Sequence, residues 1–380
     1  MDYTLTAENR QVRELAREFA EMEMRPVVMK YDEAQAFPFE IMKKLGDLGF
    51  MGVTFPEKYG GAGLSYVDYC SVVEEISRVD PSVGLSVAAH NGLCSNHIYS
   101  FADEKLKSKY LPDLASGRKI GAWGLTEPAS GSDSGSLRTT ATRDGDFYRL
   151  NGTKQFTTHG SVGETIVVMA LTDPEKRKKG ISAIITERGT PGFSVGRKEN
   201  KLGMRASDTS TMVFEDVKVP AENLIGGEGD GFRQALEILD SGRIGIAALS
   251  VGVAQGALDA SVRYAKERSQ FGKRLSEFEA IQWKISEMAT KIEAARILTY
   301  KAAFLKDTGK VIKLAAATAK YFASEAAVKC TEEAVQIHGG YGFIKDFPVE
   351  KLYRDVKLLT IGEGTSEIQK MVIARDLLRV

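Results

Sequence analysis

The spacing of apolar positions changes period twice along the chain. Val12, Leu15, Ala16 and Phe19 recur at helical intervals, with Thr6 placed to cap and Glu8 in the first turn. Ile41, Leu45 and Leu48 form a second stripe that ends near Gly49. The Gly-rich break "EKYGGAGLS" precedes a third helical stretch, "YVDYCSVVEEISRV". The apolar, small-residue run "PSVGLSVAAHNGLCSNHIYSF" suits a buried helix, and "DEKLKSKYLPDLASG" closes this helical part, 1–117. Over 118–225 short β-branched runs take over: "TIVVMALT", "GISAIIT" and "TSTMVFEDVKV", separated by Gly, Pro and Asp. Asn151-Gly152 in "DFYRLNGTKQFTT" reads as a hairpin turn. The connections are too short for βαβ crossovers, so the sheet is expected to be antiparallel. From 226 to 380 long helices return. Ile281, Ile285, Met288, Ile292 and Ala295 keep a heptad-like seam, Gly309 is a stop, and an Ala-rich helix ends at Gly339-Gly340. The predicted class is α+β: an N-terminal α-helical domain, a middle antiparallel β domain and a C-terminal four-helix bundle.

Composition narrows the function classes. Lysine plus arginine and aspartate plus glutamate both number 51, so the formal net charge is zero and no basic excess marks a nucleic-acid binder. Cys70, Cys94 and Cys330 are scattered and odd in number, without the spacing of a metal site or a disulfide framework. The N-terminal segment has the character of neither a signal nor a transit peptide, and no apolar stretch reads as long enough to cross a bilayer. A soluble cytoplasmic protein is expected.

Four segments carry candidate chemistry. In "RDVKLLTIGEGTSEIQ", Glu363 stands between Gly362 and Gly364, which lack a Cβ and admit a ligand close to the backbone. A carboxylate kept from water there has a raised pKa and can act as a general base. The plain alternative is a loop residue ahead of a helix, with Ser366 and Gln369 as a capping box. "GAWGLTEPASGSDSGS", residues 121–136, can form a nest of backbone N–H groups for a diphosphate, or a simple surface turn. There is no G-x-G-x-x-G and no Walker A pattern, so a dinucleotide held here would not use a Rossmann cradle. "RSQFGKRLSEFEAIQW" offers Arg268 for a phosphate and Phe271 for a ring, or a helix break with a solvated arginine. "AVQIHGGYGF" reads first as a Gly C-cap, with His338 as a packing residue.

Taken in order, "LTEPASGSD", "LNGTKQFTT", "LDSGRIGIAA", "RSQFGK", "QIHGGYG" and "GEGTSEIQ" resemble the acyl-CoA dehydrogenase family over essentially the whole chain. The resemblance implies one FAD per subunit, a homotetramer built as a dimer of dimers, and α,β-dehydrogenation of an acyl-CoA with electrons passed to an electron-transferring flavoprotein. It implies that Trp123, Leu125, Thr126, Gly131 and Ser132 line the flavin, Ser132 also touching substrate, and that Phe156, Thr157 and Thr158 complete the flavin wall. Asp240 and Arg243 would meet the CoA, and Gly362 and Gly364 the substrate. Arg268, Phe271, Glu279, Gln336, Gly339 and Gly340 fall at cofactor positions; of these, Arg268, Gln336 and Gly340 match residues reaching a neighbouring subunit's FAD. Thr365 and Glu367 would close over the cofactor.

Most of the family places the base in the "EGT" motif, and a minority one residue before the arginine of "LD..R". That second position is Gly242, so the resemblance assigns the base to Glu363. It assigns polarisation of the thioester carbonyl to the Glu363 N–H and a ribityl hydroxyl. Gly362 replaces a common tyrosine, as in the isovaleryl-type enzymes, and opens space for a branched or alicyclic group on what is expected to be a short acyl-CoA. Glu279 stands where many relatives have a glutamine near the flavin, and Phe156 where many have tryptophan. The rival readings are an enoyl-CoA reductase, an oxygen-using oxidase, or a non-enzymatic assembly or nucleic-acid-binding relative.

Overall fold

The computed structural model describes residues 5–379. Seven helices come first: α1 (Ala7–Phe19), α2 (Val28–Ala34), α3 (Phe39–Asp47), α4 (Tyr66–Val79), α5 (Pro81–Ala89), α6 (Asn96–Phe101) and α7 (Glu104–Ala115). The Thr6 hydroxyl caps α1 by accepting from the Asn9 N–H, and Ser65 does the same for α4 from Asp68. Ala16 and Phe19 are buried, but Leu15 is 42% exposed, so the apolar stripe of α1 is narrower than its sequence suggests. Between α5 and α6 the chain widens into a π-helical turn, His90–Ser95, which is wholly buried and carries Leu93. Such turns re-aim side chains within an otherwise continuous helix.

The strands are β1 (Gly121–Gly124), β2 (Thr140–Asp144), β3 (Phe147–Thr158), β4 (Thr165–Leu171), β5 (Ile181–Glu187), β6 (Phe193–Lys198), β7 (Thr209–Pro220) and β8 (Leu224–Ile225). Their order is β6-β7-β3-β2-β4-β5-β8, with β1 also paired to β4. The sheet is mixed rather than antiparallel throughout: β1 runs parallel to β4, and β2 meets β4 in parallel at Thr140 and Leu171. The parallel partners are separated by intervening strands, so no βαβ crossover is required. Asn151-Gly152 is not the turn of a hairpin. The β2–β3 turn is at Gly145, with φ +61°. Gly152 instead sits at a register shift inside β3, where a Cβ would collide with Thr139. Strands β4 and β5 are buried along both faces, which is why their sequences are continuously apolar.

The last part contains α8 (Gly231–Glu267), α9 (Glu279–Asp307), α10 (Lys313–His338), α11 (Val349–Asp355) and α12 (Ser366–Leu378). Helix α8 is long and apolar enough to pass for a membrane span, contrary to the expectation from sequence, but 78% of its apolar window is buried among the other helices. Its glycines explain the burial. A Cβ at Gly245 would strike the Tyr69 hydroxyl, and at Gly252 the Glu74 backbone, so α8 and α4 pack nearly backbone to backbone. Met288, Ile292 and Ala295 of α9 are buried as the seam predicts, while Ile281 and Ile285 are half-buried. Gly309, with φ +66°, follows the end of α9. Buried Lys351 on α11 bridges Asp80 (2.8 Å) and Asp355 (2.5 Å), and Asp355 accepts from the Met204 N–H, joining all three parts of the chain.

Candidate active site

The turn before α12 is built to hold one side chain. The N–H groups of Ile361 and Gly362 both donate to the Leu358 carbonyl. Glu363 then takes a left-handed backbone, φ +52°, followed by Gly364 at +91°. A non-glycine residue in that region costs about 1–3 kcal/mol and persists only where its surroundings impose it. Here they do. The Gln369 side-chain amide donates to the carbonyls of Glu363 (3.3 Å) and Gly364 (2.9 Å), and Lys320 Nζ donates to the Gly364 carbonyl at 2.8 Å. The cap of α12 is Thr365, whose hydroxyl accepts from the Ile368 N–H; Ser366 and Gln369 do not form the capping box expected from sequence.

The Glu363 residue is half-buried, but its carboxyl is enclosed, and Oε2 is buried without a hydrogen-bond partner. A methyl group added at Gly242 would run into that oxygen, and Leu93 closes in at 3.1 Å from the same point. The missing side chain at Gly242 is therefore the space the carboxyl occupies. Burial pushes the Glu363 carboxyl up to about 7, against the opposing pull of Lys320 and Arg243. Among the described residues, no protein group accepts from the Glu363 backbone N–H.

Leu93 links this carboxyl to the second segment, because Trp123 packs against the same small cluster. Trp123 lies in strand β1, not in a surface turn. Its Nε1 donates to His97 Nδ1 at 2.9 Å, and His97 Nε2 meets Gln234 at 3.0 Å. Burial holds His97 down at about 4, so it is neutral. The following loop is stapled to β3. Buried Lys154 pairs with Glu127 at 2.7 Å and reaches the Leu125 carbonyl, while Glu127 also accepts from the N–H groups of Arg138 and Thr139. The Gln155 N–H donates to the Thr126 carbonyl at 2.8 Å. A bulge between Lys154 and Thr157 turns Phe156 outward at φ +54°, leaving it 64% exposed, beside buried Thr157 and half-buried Thr158. The N–H groups of Gly131 and Ser132 have no acceptor among the described residues, and nothing lies within 4 Å of a Cβ built at Gly131.

On α8, to either side of Gly242, Asp240 pairs with Arg243. Burial raises Asp240 and lowers Arg243. Beside them Lys306 donates to Ser241 Oγ at 2.8 Å, at a cleft of about 210 Å³ also lined by Asn96, Ser100 and Glu237.

The remaining predicted positions lie apart from this group. Arg268, Gly339 and Gly340 line a cleft of about 410 Å³ that shares no residue with the surroundings of Glu363. The Arg268 guanidinium lies 5.4 Å from the Tyr341 ring centre. His338 is a packing residue, stacked on Tyr264 at 4.2 Å with Nδ1 meeting the Ala334 carbonyl. Phe271 is 94% exposed, and Glu279, Gln336 and Glu367 are exposed as well. Lys320, Lys154, Tyr66, Tyr69 and Leu93 carry no signal in the sequence, since each reads as ordinary surface or core.

These features suit a flavin: a loop with free N–H groups, an outward aromatic ring, and glycines where a cofactor can come close. Comparison with known proteins agrees. Family models for the acyl-CoA dehydrogenase N-terminal, middle and C-terminal domains match residues 6–118, 122–217 and 229–378. The chain is 49% identical to the short-chain specific acyl-CoA dehydrogenase of Clostridium acetobutylicum, covering 100% of both, and 45% identical to the acryloyl-CoA reductase (NADH) of Anaerotignum propionicum, covering 100% of this chain and 96% of that one. Among solved structures, butyryl-CoA dehydrogenase of Megasphaera elsdenii superposes with a TM-score of 0.98 at 45% identity, covering 100% of each chain. A chain solved in work on the electron transferring flavoprotein of Acidaminococcus fermentans and flavin-based electron bifurcation gives 0.99 at 48%, again over 100% of each. The chain belongs to the acyl-CoA dehydrogenase family and is an FAD-dependent oxidoreductase.

Proposed function

We propose that this enzyme introduces the α,β double bond into a short acyl-CoA, with Glu363 removing the α proton. The observation that carries this reading is the enclosed, unpartnered Glu363 Oε2 filling the space left by Gly242. An acceptor oxygen without a hydrogen bond, at a pKa of about 7, is poised to take a proton from carbon near neutrality. The free Glu363 N–H is a fixed donor for the thioester oxygen, where charge develops as the proton leaves. Bound FAD would supply the acceptor for the β hydrogen, as hydride.

Trp123, Leu125, Thr126, Gly131, Ser132, Phe156, Thr157 and Thr158 are the residues that would hold it, with Thr365 and Glu367 closing over it. The Lys154–Glu127 pair keeps their loop against β3. Asp240 and Arg243 would meet the CoA. The outward cleft at Arg268, Gly339 and Gly340, with Phe271, Glu279 and Gln336 nearby, would receive a neighbouring subunit's FAD in a homotetramer. Exposed Phe271 and Phe343, at 94% and 87%, support a face that is covered in such an assembly. An electron-transferring flavoprotein as acceptor is supported by the likeness to the Acidaminococcus fermentans chain. The cytoplasm is the location we infer, and the burial of α8 removes the one candidate membrane span among the described residues.

For the acyl group, buried Tyr66 and Tyr69 feel the charge of Glu363 and fill the interior next to it, which suits a short chain. A Cβ at Gly362 would make only ordinary contacts, 3.5–3.7 Å, with Leu358, so the glycine leaves room for a branched or alicyclic group. The likeness to acryloyl-CoA reductase favours a second reading, the same chemistry run as reduction. Anaerobic titration of the holoenzyme with straight, branched and alicyclic acyl-CoAs tests both. Flavin bleaching by short acyl-CoAs is expected. Bleaching by none of them, with reoxidation of chemically reduced enzyme by an enoyl-CoA, would replace the first reading by the second.

A further inference from the structure

We propose that Lys320 is a positioning residue for the base: its ammonium, tied to the Gly364 carbonyl, locks the turn that carries Glu363 and stabilises the carboxylate across the gap. The inference rests on the reading of Glu363 as base.

Lys154, Lys320 and Lys351 are all buried, but they are not paired alike. Lys351 is gripped by Asp80 and Asp355, and Lys154 by Glu127. Lys320 is as deeply buried, at 0% exposure, yet no carboxylate among the described residues lies within 4.0 Å of it. Its hydrogen bond goes to a neutral carbonyl that Gln369 already serves at 2.9 Å. For holding the turn, a positive charge is therefore redundant, and desolvating one is costly. What the charge adds is a field at Glu363, one residue away along the backbone. The other charged or titratable groups around the pair are Arg243 on α8, Glu325 on α10, Glu367 on α12, and the phenols Tyr66 and Tyr69 on α4. Glu325 is already bound by the Ser366 hydroxyl at 2.6 Å. Burial lowers Lys320 to about 8 while Glu363 is raised to about 7, so near neutrality the ammonium is retained as the carboxylate forms.

The test is the rate of anaerobic flavin reduction by butyryl-CoA from pH 6 to 9, for holoenzymes of wild type, Lys320→Met, Lys320→Gln, Lys320→Arg and Gln369→Leu. Loss of the charge in Lys320→Met should raise the midpoint of the acid limb by about one pH unit and slow reduction severalfold at pH 7, with recovery at alkaline pH. Gln369→Leu should slow reduction at every pH without moving the midpoint. A Lys320→Met midpoint equal to wild type overturns the proposal, whatever the rate. If Lys320→Met does not load FAD, Lys320→Gln decides, since it also removes the charge but keeps a donor for the Gly364 carbonyl: a midpoint raised above wild type supports the proposal, and one equal to wild type refutes it. A midpoint raised in Lys320→Arg, which keeps the charge, refutes it too. Glu363→Gln measured alongside separates the two claims. Normal reduction by that variant ends the base assignment, while an inert Glu363→Gln with an unmoved Lys320→Met midpoint ends only the role of Lys320.

Discussion

Replacing Gly242 by alanine separates catalysis from stability at one position. The new methyl would overlap Glu363 Oε2 and approach Leu93 at 3.1 Å. Helix α8 has little room to retreat, because every residue from Ser241 to Ala254 is buried, on all sides of the helix. The carboxyl is the end of a flexible side chain, so it is the part that moves. A displacement of about 1 Å at a reacting group typically costs ~100-fold in rate, or about 2.7 kcal/mol in barrier. Folding should change far less: alanine gains up to about 1 kcal/mol over glycine in a helix interior, offset by the crowding of Leu93. Stopped-flow flavin reduction by butyryl-CoA should therefore slow by about two orders of magnitude, while Tm and FAD absorbance stay close to wild type. Reduction within twofold of wild type in a well-folded Gly242→Ala holoenzyme would show that the carboxyl's place beside Gly242 is not what the chemistry needs.

Three further outcomes are expected. Because the ionised form of Glu363 is the reactive one and its pKa is about 7, wild-type reduction should rise with pH, about tenfold between pH 6 and pH 8, and a flat profile would contradict that. Lys154→Met leaves Glu127 buried with only backbone donors, so chemical denaturation at pH 7 should show a loss of about 3–5 kcal/mol. Lys154 and the N–H donors hold Glu127 below its usual value, so that wild-type stabilisation is present above the unfolded carboxylate pKa and fades as pH falls; the variant's deficit should shrink on acidification. Gly362→Tyr should fold, since a Cβ there meets only ordinary contacts, and should lose activity toward branched acyl-CoAs more than toward butyryl-CoA in a kcat/KM comparison.

Much of this architecture was legible in the sequence because the periods of burial are local. The stripe in α9 and the short β-branched runs declared their elements directly. Non-local pairings were not legible. Nothing within "GAWG" says that β1 lies parallel to β4, and Asn151-Gly152 has the composition of a turn but serves a register shift against β7, with Gly152 pressed close to Thr139. Helix α8 was misjudged for a related reason: its apolar length is spent on close packing through glycines. At the site, Glu363 stood out through its flanking glycines, but its partners did not. Lys320, in an Ala-rich helix, has the sequence of a solvated lysine, and only the fold brings the Gly364 carbonyl to it. Gly242 looked merely like a position unable to supply a base, whereas its bare Cα makes the space into which the carboxyl of Glu363 fits.

The most direct measurement is single-turnover flavin reduction by Glu363→Gln under anaerobic conditions. The amide nearly preserves the shape of the side chain and removes its ability to accept the proton, so the holoenzyme should remain yellow, bind butyryl-CoA, and bleach about 10³-fold more slowly than wild type. Bleaching within tenfold of wild type would mean that another group takes the proton.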